Sequence, residues 1–286
     1  MKHSLKLRAA LLSLLLLAVL VGAWHLATLP TGAAAADAAA APVDAEYAAL
    51  MGQGAAAPRT GGFPTPAQFG RAAIGHLADP FYDNGPNDKG IGIQLAHSLG
   101  RVGLGFLLAA VVAIPLGFVL GMSPLMQRAL NPFVQILKPI SPLAWMPLAL
   151  YTIKDSSLSG IFVIFICALW PMLMNTAFGV ASVRRDWRNV ARTLEVGRLR
   201  TAALVILPAA APTILTGMRI SMGIAWLVIV AAEMLVGGTG IGYFVWNEWN
   251  NLSLTSVLFA ILVIGLVGML LDVLLARLQA AVSYVE

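Results

Sequence analysis

Charge is scarce in this chain: only 11% of its 286 residues are Asp, Glu, Lys or Arg, while 59% are hydrophobic. A soluble domain carries roughly 25% charged residues, so an ordinary soluble enzyme of this length is excluded. Cysteine is almost missing. Cys167, the single one, rules out a disulfide framework and a Cys-based metal cluster, and it lies in an apolar run as a packing residue. The four histidines (3, 25, 76 and 97) are scattered, and no H-E-x-x-H, G-x-S-x-G or G-x-x-x-x-G-K-[ST] pattern occurs. No cofactor or metal is expected in this chain. The glycines of GGTGIG at 237–242 have no strand pattern before them and no lysine after, so they read as turn glycines, not a phosphate cradle.

What is present in quantity is long apolar runs. A bilayer core about 30 Å thick needs about 20 apolar residues of helix, and six stretches qualify: 8–29, 95–121, 132–153, 158–180, 209–236 and 256–279. The fold class expected is therefore an all-α integral membrane protein with six transmembrane helices. The first stretch follows Lys2, Lys6 and Arg8, as a secretory signal would. Its apolar length, Ala9 to Leu29, exceeds the usual signal core of about 7–15 residues, and it reads as a retained helix within an N-terminal segment 1–30. The net charge of +5 reports orientation, not a nucleic-acid partner. Lys2, Lys6, Arg8, Arg128, Arg277 and the arginines of 184–200 fall on one side of the alternating spans, whereas the other side holds Arg59, Arg71, Lys89 and Lys154 with most of the acidic residues. By the positive-inside rule both termini are cytoplasmic.

Between the first two spans lies an external, periplasmic segment, 31–94. Its first half is alanine-rich and low in complexity. In PAQFGRAAIGHLADPFYD, Phe69, Ala72, Ala73 and Leu77 have helical spacing, which predicts a short helix on the outer membrane surface. NGPNDKG is turn chemistry. The prolines Pro139, Pro142, Pro147 and Pro171 interrupt two adjacent spans and predict bends there.

The stretch 184–208, RRDWRNVARTLEVGRLRTAALVILP, is too polar to span and too patterned for a linker. It reads as two short helices parted near Gly197. They either lie on anionic lipid or dock a soluble partner. Here the chain resembles a known family. Asn189-Val190-Ala191, a helical turn, and then Leu207-Pro208 follow the coupling loop of importer-type ABC permeases, which typically reads Glu-Ala-Ala, three residues, Gly, and later Leu-Pro. Asn189 replaces the Glu, and Glu195 stands where the Gly is usual. PLAWMPLAL at 142–150, PAAAPTILTGMRISMGIAWLVIVAAEML at 208–235 and GIGYFVWNEWN at 240–250 resemble the branch serving nitrate, sulfonates, taurine, cyanate and bicarbonate. DPFYDNGPNDKGIGIQL at 79–95 looks like the external segment of nitrate permeases.

The resemblance implies an N-terminal extra helix plus a five-helix core at 95–286, used as a dimer in the bacterial inner membrane. It implies two cytoplasmic ABC ATPases that bind ATP and Mg, and a periplasmic or lipid-anchored substrate-binding protein. Asn189, Val190, Ala191, Arg192, Leu194, Glu195 and Gly197 would carry the ATPase contact, with Val190, Ala191 and Leu194 as apolar inserts. Alternatives are another substrate of the branch or an ion-coupled secondary transporter.

Charges within spans are expensive and mark pathways or pairs. Arg219 and Glu233 of the fifth span are 14 residues apart, so they differ by about 40° in azimuth and about 21 Å along the axis. Trp226 falls between them. Arg219 is a transient partner for an anion, or it pairs with Asp272; Arg101 in the second span presents the same choice near the outer mouth.

Overall fold

A computed structural model describes residues 2–28, 63–85 and 87–282. The low-complexity half of the external segment, up to residue 62, lies outside these. The elements, in chain order, are α1 (Lys2–Ala27), α2 (Pro66–Ala78), α3 (Ile91–Met122), α4 (Pro124–Leu137), α5 (Pro142–Ile153), α6 (Ser156–Ala181), α7 (Arg185–Thr193), α8 (Arg198–Thr201), α9 (Leu207–Val236), α10 (Ile241–Asn250) and α11 (Leu254–Val282). Among the described residues the only β pairing is an isolated bridge between Asp83 and Lys89. The chain divides into two units, 1–75 with 252–259 and 76–251 with 260–286.

In the first unit, Thr65 opens α2 with a capping box: its amide donates to Gln68 Oε1 at 2.8 Å and its hydroxyl accepts from the Gln68 amide at 3.3 Å. Pro66 follows at the first helical position, where a missing N–H costs nothing. The Trp24 indole donates to the Pro64 carbonyl at 2.9 Å and stands edge-on to Phe63 and Phe69. These contacts tie the end of α1 to the start of α2.

The second unit is built on α3, α6 and α9. Each is long and apolar enough to span, and about two fifths of each is buried. Lipid supplies no hydrophobic drive between helices, so close approach through small residues and polar ties does the work. Gly117 and Gly121, a G-x-x-x-G pair on α3, lie against α6: a Cβ at Gly117 would stand 2.5 Å from the Thr176 Cβ. The Ser221 hydroxyl of α9 donates to the Ala168 carbonyl of α6 at 2.7 Å. Tyr82 and Asp83 lie in the turn before α3. Burial and a hydrogen bond to Asp88 push the Tyr82 hydroxyl up to about 12. Lys89 holds the Asp83 carboxyl below the usual carboxylate range.

Among the described residues five helices are individually long and apolar enough to cross a membrane, or six spans if α4 and α5 count as one. The span expected at 132–153 carries the bend that its prolines predict. It is two helices bent by 91°, because Pro142 lacks an amide and holds Ser141 in an extended conformation, φ −58° and ψ 135°. Pro139 lies in that break. Pro147 and Pro171 sit inside α5 and α6, which run through them.

Candidate functional site

Two places hold the expected functional residues: the loop 184–208 and the charged groups of α3 and α9.

In the loop, α7 spans Arg185–Thr193 and ends in a Schellman motif. The Val196 amide donates to the Ala191 carbonyl and the Glu195 amide to the Arg192 carbonyl, both at 3.0 Å. The motif puts the residue after its cap in a left-handed conformation, and Glu195 has φ 51°. A glycine would take that conformation without strain. Gly197, exposed, precedes α8, and the chain continues through a wider turn at Ala202–Ile206 into α9. Val190 and Leu194 are exposed, at 58% and 70%, and so are Asn189, Arg192 and Glu195. Ala191 is not: it is 5% exposed and faces into its own chain. Of the three residues expected as apolar inserts, Val190 and Leu194 are thus exposed and Ala191 is buried, and Trp187 and Leu199 are exposed apolar side chains as well. Arg188 ties the loop down, donating through Nη2 to the Val183 carbonyl at 2.6 Å, beyond the end of α6. Cations complement a helix C-terminus in just this position.

At the other end of the unit, Glu233 of α9 is 4% exposed. Its carboxylate accepts from Arg101 Nη1 of α3 at 2.7 Å, the Ser98 hydroxyl at 2.8 Å and the Gly242 amide at 3.1 Å. Arg101 also donates to the Thr239 carbonyl at 2.6 Å and through Nε to Ser157 of α6 at 3.0 Å. The Gly240 and Ile241 amides donate to Gln94 and Ser98 of α3. Burying two charges is tolerated only when the surplus donors and acceptors are also met, and here they are. The network staples α3, α6, α9 and the start of α10 around the turn 237–242.

The glycines of that turn serve two purposes. Gly237 and Gly238 have φ 78° and 93°, so they are turn glycines. Gly240 and Gly242 are extended or helical, and leave room for contact: a Cβ on Gly240 would collide with the Glu233 carboxylate.

The expected stripe of Arg219, Trp226 and Glu233 is divided between neighbours. Glu233 faces α3, whereas Trp226 donates to the Ile264 carbonyl of α11 at 3.0 Å. Arg219 grips Asp272 of α11 with Nε and Nη2 at 2.5 and 2.6 Å. Sequence spacing missed Ser98, Gln94 and Ser157, since polar residues within an apolar span give no sign of which charge they serve. Among the described residues no group of three or more His, Cys, Asp or Glu could hold a metal ion.

Long apolar helices, a proline-broken span, paired charges within the spans and a basic loop define a multi-pass membrane protein. The chain belongs to the family of binding-protein-dependent transport system inner membrane components, whose model matches residues 113–284. It is 46% identical to the nitrate import permease protein NrtB of Synechocystis sp. over 78% of this chain and 81% of that one. It is 42% identical to the bicarbonate transport system permease protein CmpB of the same organism, over 72% and 74%. The taurine transport system permease protein TauC of Escherichia coli is 35% identical over 65% and 68%. The fold matches the MetNI methionine ABC transporter in an inward-facing conformation, with TM-score 0.60 at 15% identity, covering 66% of this chain and 94% of that one. The chain is thus an ABC importer permease, a subunit type that is normally non-catalytic.

Proposed function

We propose that this chain is the transmembrane permease subunit of an ATP-driven importer for nitrate (or nitrite) in the bacterial inner membrane. The observation that carries the substrate is the 46% identity to a nitrate import permease over most of both chains. In this reading a periplasmic or lipid-anchored binding protein delivers the anion to the external face. A second copy of the permease completes the path, and two cytoplasmic ABC ATPases bind and hydrolyse ATP with Mg. The chain itself carries no nucleotide loop, so energy must reach it by contact. The exposed apolar and basic side chains of 184–208 suit that task. The basic bias of this loop and of residues 2–8 supports cytoplasmic termini, with 31–94 periplasmic.

A strain lacking the gene is expected to fail on limiting nitrate as nitrogen source and to grow on ammonium. The similarity to bicarbonate permeases supports a second reading. Normal growth on nitrate with loss of growth at low inorganic carbon would select it. Loss of growth on taurine as sulfur source would move the chain to the sulfonate branch.

A further inference from the structure

The two membrane ion pairs differ in a way that separates their roles. Arg101 and Glu233 have side chains 13% and 3% exposed and are cross-linked to Ser98, Ser157, Thr239 and Gly242. Arg219 and Asp272 are 40% and 50% exposed. Among the described residues, their side chains hydrogen-bond only each other. The first pair is locked in place. The second is reachable and held by one partner alone.

Arg219 lies 12 residues from the start of α9 and Asp272 18 from the start of α11, about 18 Å and about 27 Å along their axes. Both are within helices that span. An exposed charge at such depth is expensive against lipid, so the open side of the pair faces water or protein. The seam between α9 and α11 is polar elsewhere too: Gln279 donates to Thr216 at 2.8 Å, next to the pair. The pair itself has the geometry of oxyanion recognition. Nε and Nη2 of Arg219 each meet one oxygen of Asp272, and a guanidinium fork offers the same two donors to any planar oxyanion with two oxygens on one edge.

We propose that Arg219 is a transit site for the oxyanion in the inner half of the membrane and that Asp272 is its resident counter-ion. The inference rests on the oxyanion reading above. The travelling anion displaces the Asp272 carboxylate from the fork, and the carboxylate, returning, displaces the anion onward. Only hydrogen bonds are exchanged, and no proton moves. Conduction requires a site favourable enough to enter yet weak enough to leave. A carboxylate competing for the same two donors supplies the second condition.

The test is a charge swap, Arg219→Asp with Asp272→Arg, in the full transporter with its ATPase and binding protein. An ion pair then survives at the seam while the guanidinium moves to the other helix. Uptake of labelled nitrate and of bicarbonate is measured in parallel with the wild type. The expected result is normal membrane level and ATPase co-purification, with uptake lowered about tenfold or more. Uptake within about twofold of the wild type, a loss of under half a kcal/mol in transition-state terms, overturns the proposal. A wild type that carries bicarbonate and not nitrate strikes the nitrate reading instead, and the swap still decides the pair. If the swapped chain does not assemble, Asp272→Asn decides. With the competitor gone, transport KM and maximal rate should fall together severalfold, whereas an unchanged KM overturns the proposal.

Discussion

Nη1 of Arg101 stands 2.7 Å from Oε1 of Glu233, and this contact holds the turn 237–242 against the bundle. Glu233 lies four residues before Gly237, where α9 ends, and Arg101 also binds the Thr239 carbonyl two residues further on. The pair therefore works as a joint between two spans and the turn that follows. The Arg101 and Glu233 side chains are 13% and 3% exposed, and each is held by several partners at once.

Removing one partner of such a joint leaves the other charge buried and uncompensated, at roughly 3–5 kcal/mol. Glu233→Gln and Arg101→Gln should each lower the amount of folded permease in the membrane sharply. The double variant, with no buried charge left, should recover part of the loss. A double-mutant cycle on thermal stability in detergent measures this, and additive losses would show that the two groups are not coupled.

Glu195 sits in the left-handed region at φ 51°, which costs a non-glycine residue roughly 1–2 kcal/mol. Glu195→Gly should therefore tighten the end of α7, with a net gain of about 0.5–1 kcal/mol once the greater freedom of glycine in the unfolded chain is subtracted. Limited trypsin cleavage at Arg192 and Arg198 reads it directly. The variant should be cut more slowly, and faster cutting would contradict the Schellman assignment.

Two glycines of α3 predict opposite signs for the same substitution. Around Gly100 there is open space, while Gly117 abuts Thr176. Gly100→Ala should stabilise by roughly 0.5–1 kcal/mol, since alanine loses less freedom in a helix. Gly117→Ala should destabilise by about 1–3 kcal/mol through overpacking. Melting of the purified permease compares them, and equal shifts would show that α3 and α6 do not touch there.

Much of this architecture is legible in the sequence because apolar length alone sets a span, and a Thr-Pro-Ala-Gln start or a proline cluster sets where helices begin and bend. The spans around 95–121, 158–180, 209–236 and 256–279 lie within observed helices with ends moved by a few residues. The site is less legible. Periodicity places Arg219, Trp226 and Glu233 within 40° of one another, about one ridge of a helix, but a ridge that narrow can still serve two neighbours. It faces α11 at Arg219 and α3 at Glu233. Ala191 likewise belongs to the apolar pattern of α7 without belonging to its outer face. Pattern separates apolar from polar positions, and only packing says what covers each one.

That distinction decides how the loop 184–208 should be tested as the ATPase contact. An aspartate at Ala191 would be buried within the permease, so its failure would report folding and not docking. Val190 and Leu194 are the exposed apolar groups flanking it, and interface anchors of this kind commonly lose at least about 2 kcal/mol of binding when truncated. Val190→Asp and Leu194→Asp should leave the permease at normal levels in the membrane yet abolish co-purification of the ATPase and uptake. Arg198→Ala should do little, because an exposed rim charge contributes less. Ala191→Asp should instead lower the membrane level itself. If Val190→Asp and Leu194→Asp both kept ATPase binding and transport, the loop would be a helix resting on anionic lipid. Energy would then have to enter the permease through another contact.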